Sequence, residues 1–229
     1  MPMTLAEAIE IYKMYRAYAF LAGVNNVVCL YKEHKWVFDK RVADYVIYGG
    51  HQNRYVKQHG YYNYKNETLI PAEDILVRAF PMLKTYTDFD NLYDEVKRLI
   101  YRIKGINDLT VYDAALRIGF LLGVFPEKKV YIVAGAWTGI KNLKKELVKE
   151  KEEEKDFQTI TKPGRFDASL FKNSFGSMDS MFIEDFLCVF HNELGNLSTC
   201  TKEDLLKTME FHGIHKKIKD CYLYNYDIY

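Results

Sequence analysis

Hydrophobic residues recur at three- and four-residue steps along much of the chain, and the clearest pattern brackets one tight turn. Leu92, Val96, Leu99, Ile100 and Ile103 fall on a single helix face whose opposite side is charged. Lys104-Gly105-Ile106-Asn107-Asp108-Leu109 then leaves room only for a sharp reversal. A second helix opens at Thr110, a good N-cap, carries Val111, Ala114, Ala115, Ile118, Leu121 and Leu122 as a stripe, and stops at Gly123.

The same periodicity organises the remainder. Thr4 and Glu7 have capping-box spacing, and Leu5, Ala8, Ile9, Tyr12, Tyr15 and Ala19 predict a helix ended by Gly23. Residues 27–31 suit a short strand or the start of the next helix; 36–48 read as a helix that Gly49-Gly50 stops; the polar, aromatic stretch 51–66 has no period and reads as an irregular loop. Pro71, followed by Glu73 and Asp74, suits the first turn of a helix that Pro81 closes. Pro126 suits another helix start, although 130–134 read equally well as a buried strand, with Gly135 and Gly139 as breakers. The Lys/Glu-dense stretch 140–156 predicts a solvated helix, with a charged linker as the second reading. Residues 157–180 form a polar connecting loop around Pro163-Gly164. Beyond it, Phe182, Ile183, Phe186, Leu187, Phe190 and Leu194 predict a helix capped by Asp179 or Ser180. Thr201 and Asp204 start a short one that Gly213 ends, and 221–229 is an apolar, aromatic tail. The organisation expected is a helical region 1–156 with the hairpin at 89–123, a connecting loop 157–180, and a C-terminal helical region 181–229 packing on the first.

Composition narrows the function classes. With 229 residues, 48% of them hydrophobic, the chain can bury a substantial core unaided. Its 32 Lys+Arg against 31 Asp+Glu leave a formal net charge of +1, so no global field attracts a polyanion and any nucleic-acid contact has to be local. Cys29, Cys188, Cys200 and Cys221 make no C-x-x-C pair and fit reduced thiols. The start lacks a basic n-region, and residues 5–24 are interrupted by Glu7, Glu10, Lys13 and Arg16, against both a signal peptide and a membrane span. The expected location is the cytoplasm, with no membrane partner. The 19 tyrosines and 14 phenylalanines fit an aromatic-rich core better than a row of stacking platforms.

Gly105-Ile106-Asn107-Asp108-Leu109-Thr110-Val111 resembles the helix-hairpin-helix signature Gly-hydrophobic-Gly-x-x-Thr-Ala of proteins that hold nucleic-acid backbones. Backbone N–H groups in a tight glycine turn, with the N-terminus of the following helix, bind a phosphate without reading sequence. The expected contact residues are Arg102, Lys104, Gly105, Ile106, Asn107, Leu109, Thr110 and Arg117, with Ile106 anchoring the turn and the basic residues supplying charge. Two positions depart from the pattern: Asn107 replaces the second glycine, and Asp108 adds a negative charge. The superfamily resembled includes base-excision DNA glycosylases, which implies a lysine nucleophile where Leu109 stands and a catalytic Asp after the hairpin where 127–133 have none. The resemblance, confined to the middle third, therefore supports the binding element, with DNA as a partner, and argues against the enzyme; the periodicity itself predicts mainly α-helical architecture built around a helix-hairpin-helix, with one short strand pair as an option. A diverged glycosylase or nuclease, or a protein-interaction module that keeps the hairpin for packing, are the alternatives. Residues 109–119, Pro126-Glu127, Val130-Tyr131 and 183–188 also look like a family of uncharacterised bacterial proteins, which implies no activity.

Other constellations carry less. His212 and His215 with Cys200 and Cys221 have loose spacing for a Cys2His2 zinc site, or are surface histidines at a helix end. Glu184, Asp185 and His191 share a segment and read as a solvated polar edge rather than a metal site. Asp113 is placed to pair with Arg117, four residues on. No Walker loop, G-x-S-x-G, H-E-x-x-H or dinucleotide fingerprint occurs, and no cofactor is expected.

Overall fold

The computed structural model describes residues 3–48, 66–149 and 159–211. Mainly α-helical architecture holds, with one short strand pair. Helices α1 (Leu5–Tyr15), α2 (Ala17–Glu33), α3 (Lys40–Tyr48), α4 (Asn66–Leu83), α5 (Phe89–Ile100) and α6 (Asp108–Leu122) precede strand β1 (Lys129–Ile132) and helix α7 (Ala134–Lys149). Strand β2 (Gly164–Asp167), a 3-10 turn and helices α8 (Lys172–Phe175), α9 (Ser180–Val189) and α10 (Lys202–Phe211) follow. The irregular stretch expected at 51–66 lies outside the described residues except for Asn66, which opens α4, and the tail 221–229 lies outside them altogether.

The capping box forms as expected: Glu7 N–H donates to Thr4 Oγ1 at 3.2 Å and Thr4 N–H to Glu7 Oε2 at 2.8 Å. The first helix nevertheless ends at Arg16 rather than Gly23, and α2 runs on through Gly23 and through 27–31, which are helix and not strand. Burial of Phe20, Val27 and Tyr31 outweighs the roughly 1 kcal/mol that one glycine costs a helix. At its far end α2 closes in a Schellman motif: Lys35 N–H donates to the Lys32 carbonyl and Trp36 N–H to that of Tyr31, both at 2.9 Å. Tyr31 and Trp36 make the accompanying edge-on contact, ring centroids 5.4 Å apart. Lys35 occupies the left-handed position, φ 54°, where glycine is usual, and Trp36 follows at φ 62°. This turn delays α3 to Lys40, four residues later than the pattern predicts, with Asp39 Oδ1 accepting from the N–H groups of Arg41 and Val42.

Both prolines of α4 lie inside it, so Pro71 is not a first-turn residue and Pro81 is not a stop. Each ring removes one helical hydrogen bond. Ala72, Leu76, Phe80 and Leu83, all buried on one face, hold the helix across the gaps. Gly135 and Gly139 likewise sit within α7 rather than breaking it. Their role is contact: a Cβ on Gly139 would stand 2.2 Å from the Leu187 carbonyl oxygen, and one on Gly135 2.6 Å from Cys188 Sγ. Here α7 meets α9 backbone to backbone. On the same helix Ile140, Leu143, Glu146 and Leu147 are buried, so up to Leu147 the charge-dense stretch is not a wholly solvated face, and Glu146 Oε1 accepts from both the N–H and the hydroxyl of Ser198; residues 150–156 lie outside the described residues. The expected connecting loop is partly ordered as β2 and α8, burying Phe171 and Phe175.

Two hydrophobic clusters result. One is built by α2–α6; the other joins α1 to α7–α10, so the first helix of the chain packs with the last ones. Strand β1 serves both, because its alternating side chains face opposite ways: Val130 and Ile132 enter the second cluster, Tyr131 and the following Val133 the first. It pairs antiparallel with β2 in the register Lys129↔Asp167 to Ile132↔Gly164. Among the described residues no helix is long and apolar enough to cross a membrane.

Two substitutions test these contacts in opposite directions, read by urea denaturation. Lys35→Gly relieves the left-handed strain and stabilises by about 1 kcal/mol. Gly139→Ala forces α7 off the α9 backbone and destabilises by roughly 1–3 kcal/mol or more.

Candidate functional site

Helices α5 and α6 are joined by a tight turn, with the N-cap of α6 three residues earlier than expected. Asn107, not Thr110, is its N-cap: the Asn107 side-chain oxygen accepts from Thr110 N–H at 3.0 Å and from the Thr110 hydroxyl at 3.1 Å. Asn107 has extended backbone, φ −126°, so it needs none of the positive-φ tolerance for which asparagine suits a glycine position. Gly105 carries the reversal at φ 98°, the left-handed region that favours glycine. Ile106 is buried and its N–H donates to the Ile103 carbonyl, while the Lys104 carbonyl accepts from the Thr68 hydroxyl at 2.7 Å. These bonds pin the turn to α4 and to the hydrophobic interior.

Arg102, Lys104, Gly105 and Asn107 are exposed in the turn; Leu109 is half-buried and Thr110 buried. Asp108 is matched by Lys97, whose ammonium lies 2.6 Å from its carboxylate. Burial alone would depress the Lys97 ammonium, but the bond to Asp108 and the neighbouring Tyr93 hold it above its ordinary range. The N–H groups of Asp108 and Leu109, in the first turn of α6, have no acceptor within the helix. Arg117 does not join them. It is 1% exposed, its guanidinium donating to the Val46 carbonyl at 2.7 Å and reaching Asp113 at 3.3 Å, so the expected i,i+4 pair forms deep inside.

A second polar assembly lies where α6, α9 and the α1–α2 junction meet. Asp185 takes two hydrogen bonds from the Arg16 guanidinium, both 2.9 Å, and a third from the Tyr12 hydroxyl at 2.8 Å. Arg16 and Asp185 are 2% and 3% exposed, and Glu184 is 5% exposed, so 184–185 are interior and not the solvated edge expected from the sequence. Burial would lower the Arg16 guanidinium, yet the pair with Asp185 holds it above its usual value. Burial pushes the Tyr12 and Cys188 side chains well up, reinforced by the adjacent carboxyls. Glu184 is pushed well above the ordinary carboxyl range by burial first and then by Asp185 and Asp113. The only sequence signal for this assembly was two acids inside an otherwise apolar helix pattern, which a helical wheel assigns to core as readily as to surface. His191 is half-buried, with Nδ1 2.7 Å from the Cys188 carbonyl oxygen.

The zinc arrangement falls mostly on His212, His215 and Cys221, outside the described residues. Cys200 is a buried free thiol, pushed up to about 11 by burial and then by Asp204 and Glu193. Among the described residues no group of three His, Cys, Asp or Glu is arranged to hold a metal.

Arg16→Met strands the Asp185 carboxylate and should cost about 3–5 kcal/mol of unfolding free energy near neutral pH. Adding Asp185→Leu should recover most of it, because removing both charges also removes their desolvation cost; urea titration of the three proteins measures this. No family model, curated protein or solved structure matches the chain.

Proposed function

We propose that the chain grips the sugar-phosphate backbone of DNA at the α5–α6 turn, without reading base sequence. The observation that carries this reading is Gly105 in the left-handed region on an exposed turn, placed immediately before the N-capped, 15-residue helix α6. Such a turn lets a phosphate approach the backbone closely, and the N–H groups of Asp108 and Leu109 supply donors aligned with the helix dipole. Arg102 and Lys104 in the turn add charge, and Lys97 offsets the repulsion from Asp108. An outward-facing turn favours this grip over a hairpin kept for packing alone. With a formal net charge of +1, the affinity comes from these few contacts and is strongly salt-dependent.

Fluorescence anisotropy with duplexes of unrelated sequence, over a salt series, tests the proposal. Equal affinities are expected across sequences, and Lys104→Ala or Arg102→Ala should each reduce the log–log salt slope by about 1. Gly105→Val should abolish binding while leaving the far-UV circular dichroism intact. Absence of binding at low salt overturns the reading.

A further inference from the structure

The charges of the polar assembly do not balance. Among the described residues of that assembly, Arg16 and Arg117 supply two guanidinium charges, whereas Asp113, Glu184 and Asp185 supply three carboxyl groups. Asp185 is taken by Arg16 and Tyr12, and Asp113 by Arg117. Glu184 Oε1, by contrast, is buried and has no hydrogen-bond partner among the described residues. Beside it Arg16, Phe20, Asp113, Leu116, Asp185 and Arg117, the last turned to Asp113 and the Val46 carbonyl, complete a cavity of about 20 Å³, enough for one water molecule.

We propose that this cavity is a one-water site in which Glu184 is a neutral carboxylic acid, donating its O–H to the water, which in turn donates to Asp113. The arrangement gives Glu184 a partner and closes the assembly with two positive and two negative charges. A buried acid without a countercharge keeps its proton, since the ionised form loses its hydration and gains no pair. The groups facing it support the neutral form. From α1 and the α1–α2 junction come the Tyr12 hydroxyl and Arg16, the latter committed to Asp185. From α6 come Asp113 and Tyr112, whose hydroxyl is buried and also unpartnered, with Tyr131 of β1 stacked on its ring. From α9 itself comes Cys188, a neutral thiol held up by burial and lying against Gly135 of α7.

The sign of the pH dependence follows. Below the ordinary carboxyl range Glu184 is protonated in folded and unfolded chains alike and has no effect. As pH rises above that range only the unfolded chain releases the proton, so folding loses stability until the folded-state group also ionises. Glu184→Gln keeps the shape and the neutral charge but cannot ionise. Two measurements on the full chain decide the matter. Infrared difference spectra of wild type minus Glu184→Gln at pH 7 should contain the C=O stretch of a protonated carboxyl. Urea unfolding should show Glu184→Gln gaining on wild type by up to tenfold in the unfolding constant per pH unit through the neutral range. A carboxylate band in place of the C=O stretch, or pH profiles that run parallel, overturns the proposal.

Discussion

The buried bond between Arg16 and Asp185 is the constraint on which the rest depends. It ties the junction of the first two helices to α9, 169 residues away along the chain, where the two hydrophobic clusters meet. A guanidinium and a carboxylate stripped of water gain little net stability from each other, because desolvation consumes most of the attraction. What they impose is position. Arg16, with its backbone still in the helical region at φ −105°, is the single residue between α1 and α2, so the bond to Asp185 fixes the point where one helix passes to the next. On either side of it, α1 packs in one cluster and most of α2 in the other.

Around that constraint the molecule divides its tasks. Helix α6 is buried at Thr110–Tyr112 and Ala114–Gly119 and half-buried at Asp113 and at both ends, Asp108–Leu109 and Phe120–Leu122. Just before its first turn, a left-handed glycine, a helix N-terminus and two exposed basic side chains coincide. Rigid support behind an exposed backbone turn is the physical requirement for holding an anion by main-chain donors, and the Ile106 and Thr68 contacts provide it.

Helix existence was legible in the sequence wherever apolar spacing was long: α5, α6 and α9 follow from periodicity, and the capping box at Thr4 from two residue types three apart. Boundaries were less so, because single-residue signals lost to packing. Gly23, Gly135 and Gly139 look like breakers but lie in helices whose buried neighbours outweigh their cost, and two of the three are needed for a close helix crossing. Pro71 and Pro81 were overruled the same way. At the hairpin, Gly105 and Ile106 behave as their residue types dictate; Arg117 does not, since an arginine nine residues from the helix start gives no sign in sequence of facing in or out. The Arg16–Asp185 pairing joins segments so distant that local pattern carries no trace of it.

Strand β1 adds a consequence for how the chain unfolds. With Val130 and Ile132 on one side and Tyr131 on the other, a slip of one residue would exchange the occupants of both clusters at once. Neither cluster can therefore loosen while its neighbour keeps its native packing along this strand. Four residues make the two interiors a single cooperative unit, although each has enough apolar contacts to look independent.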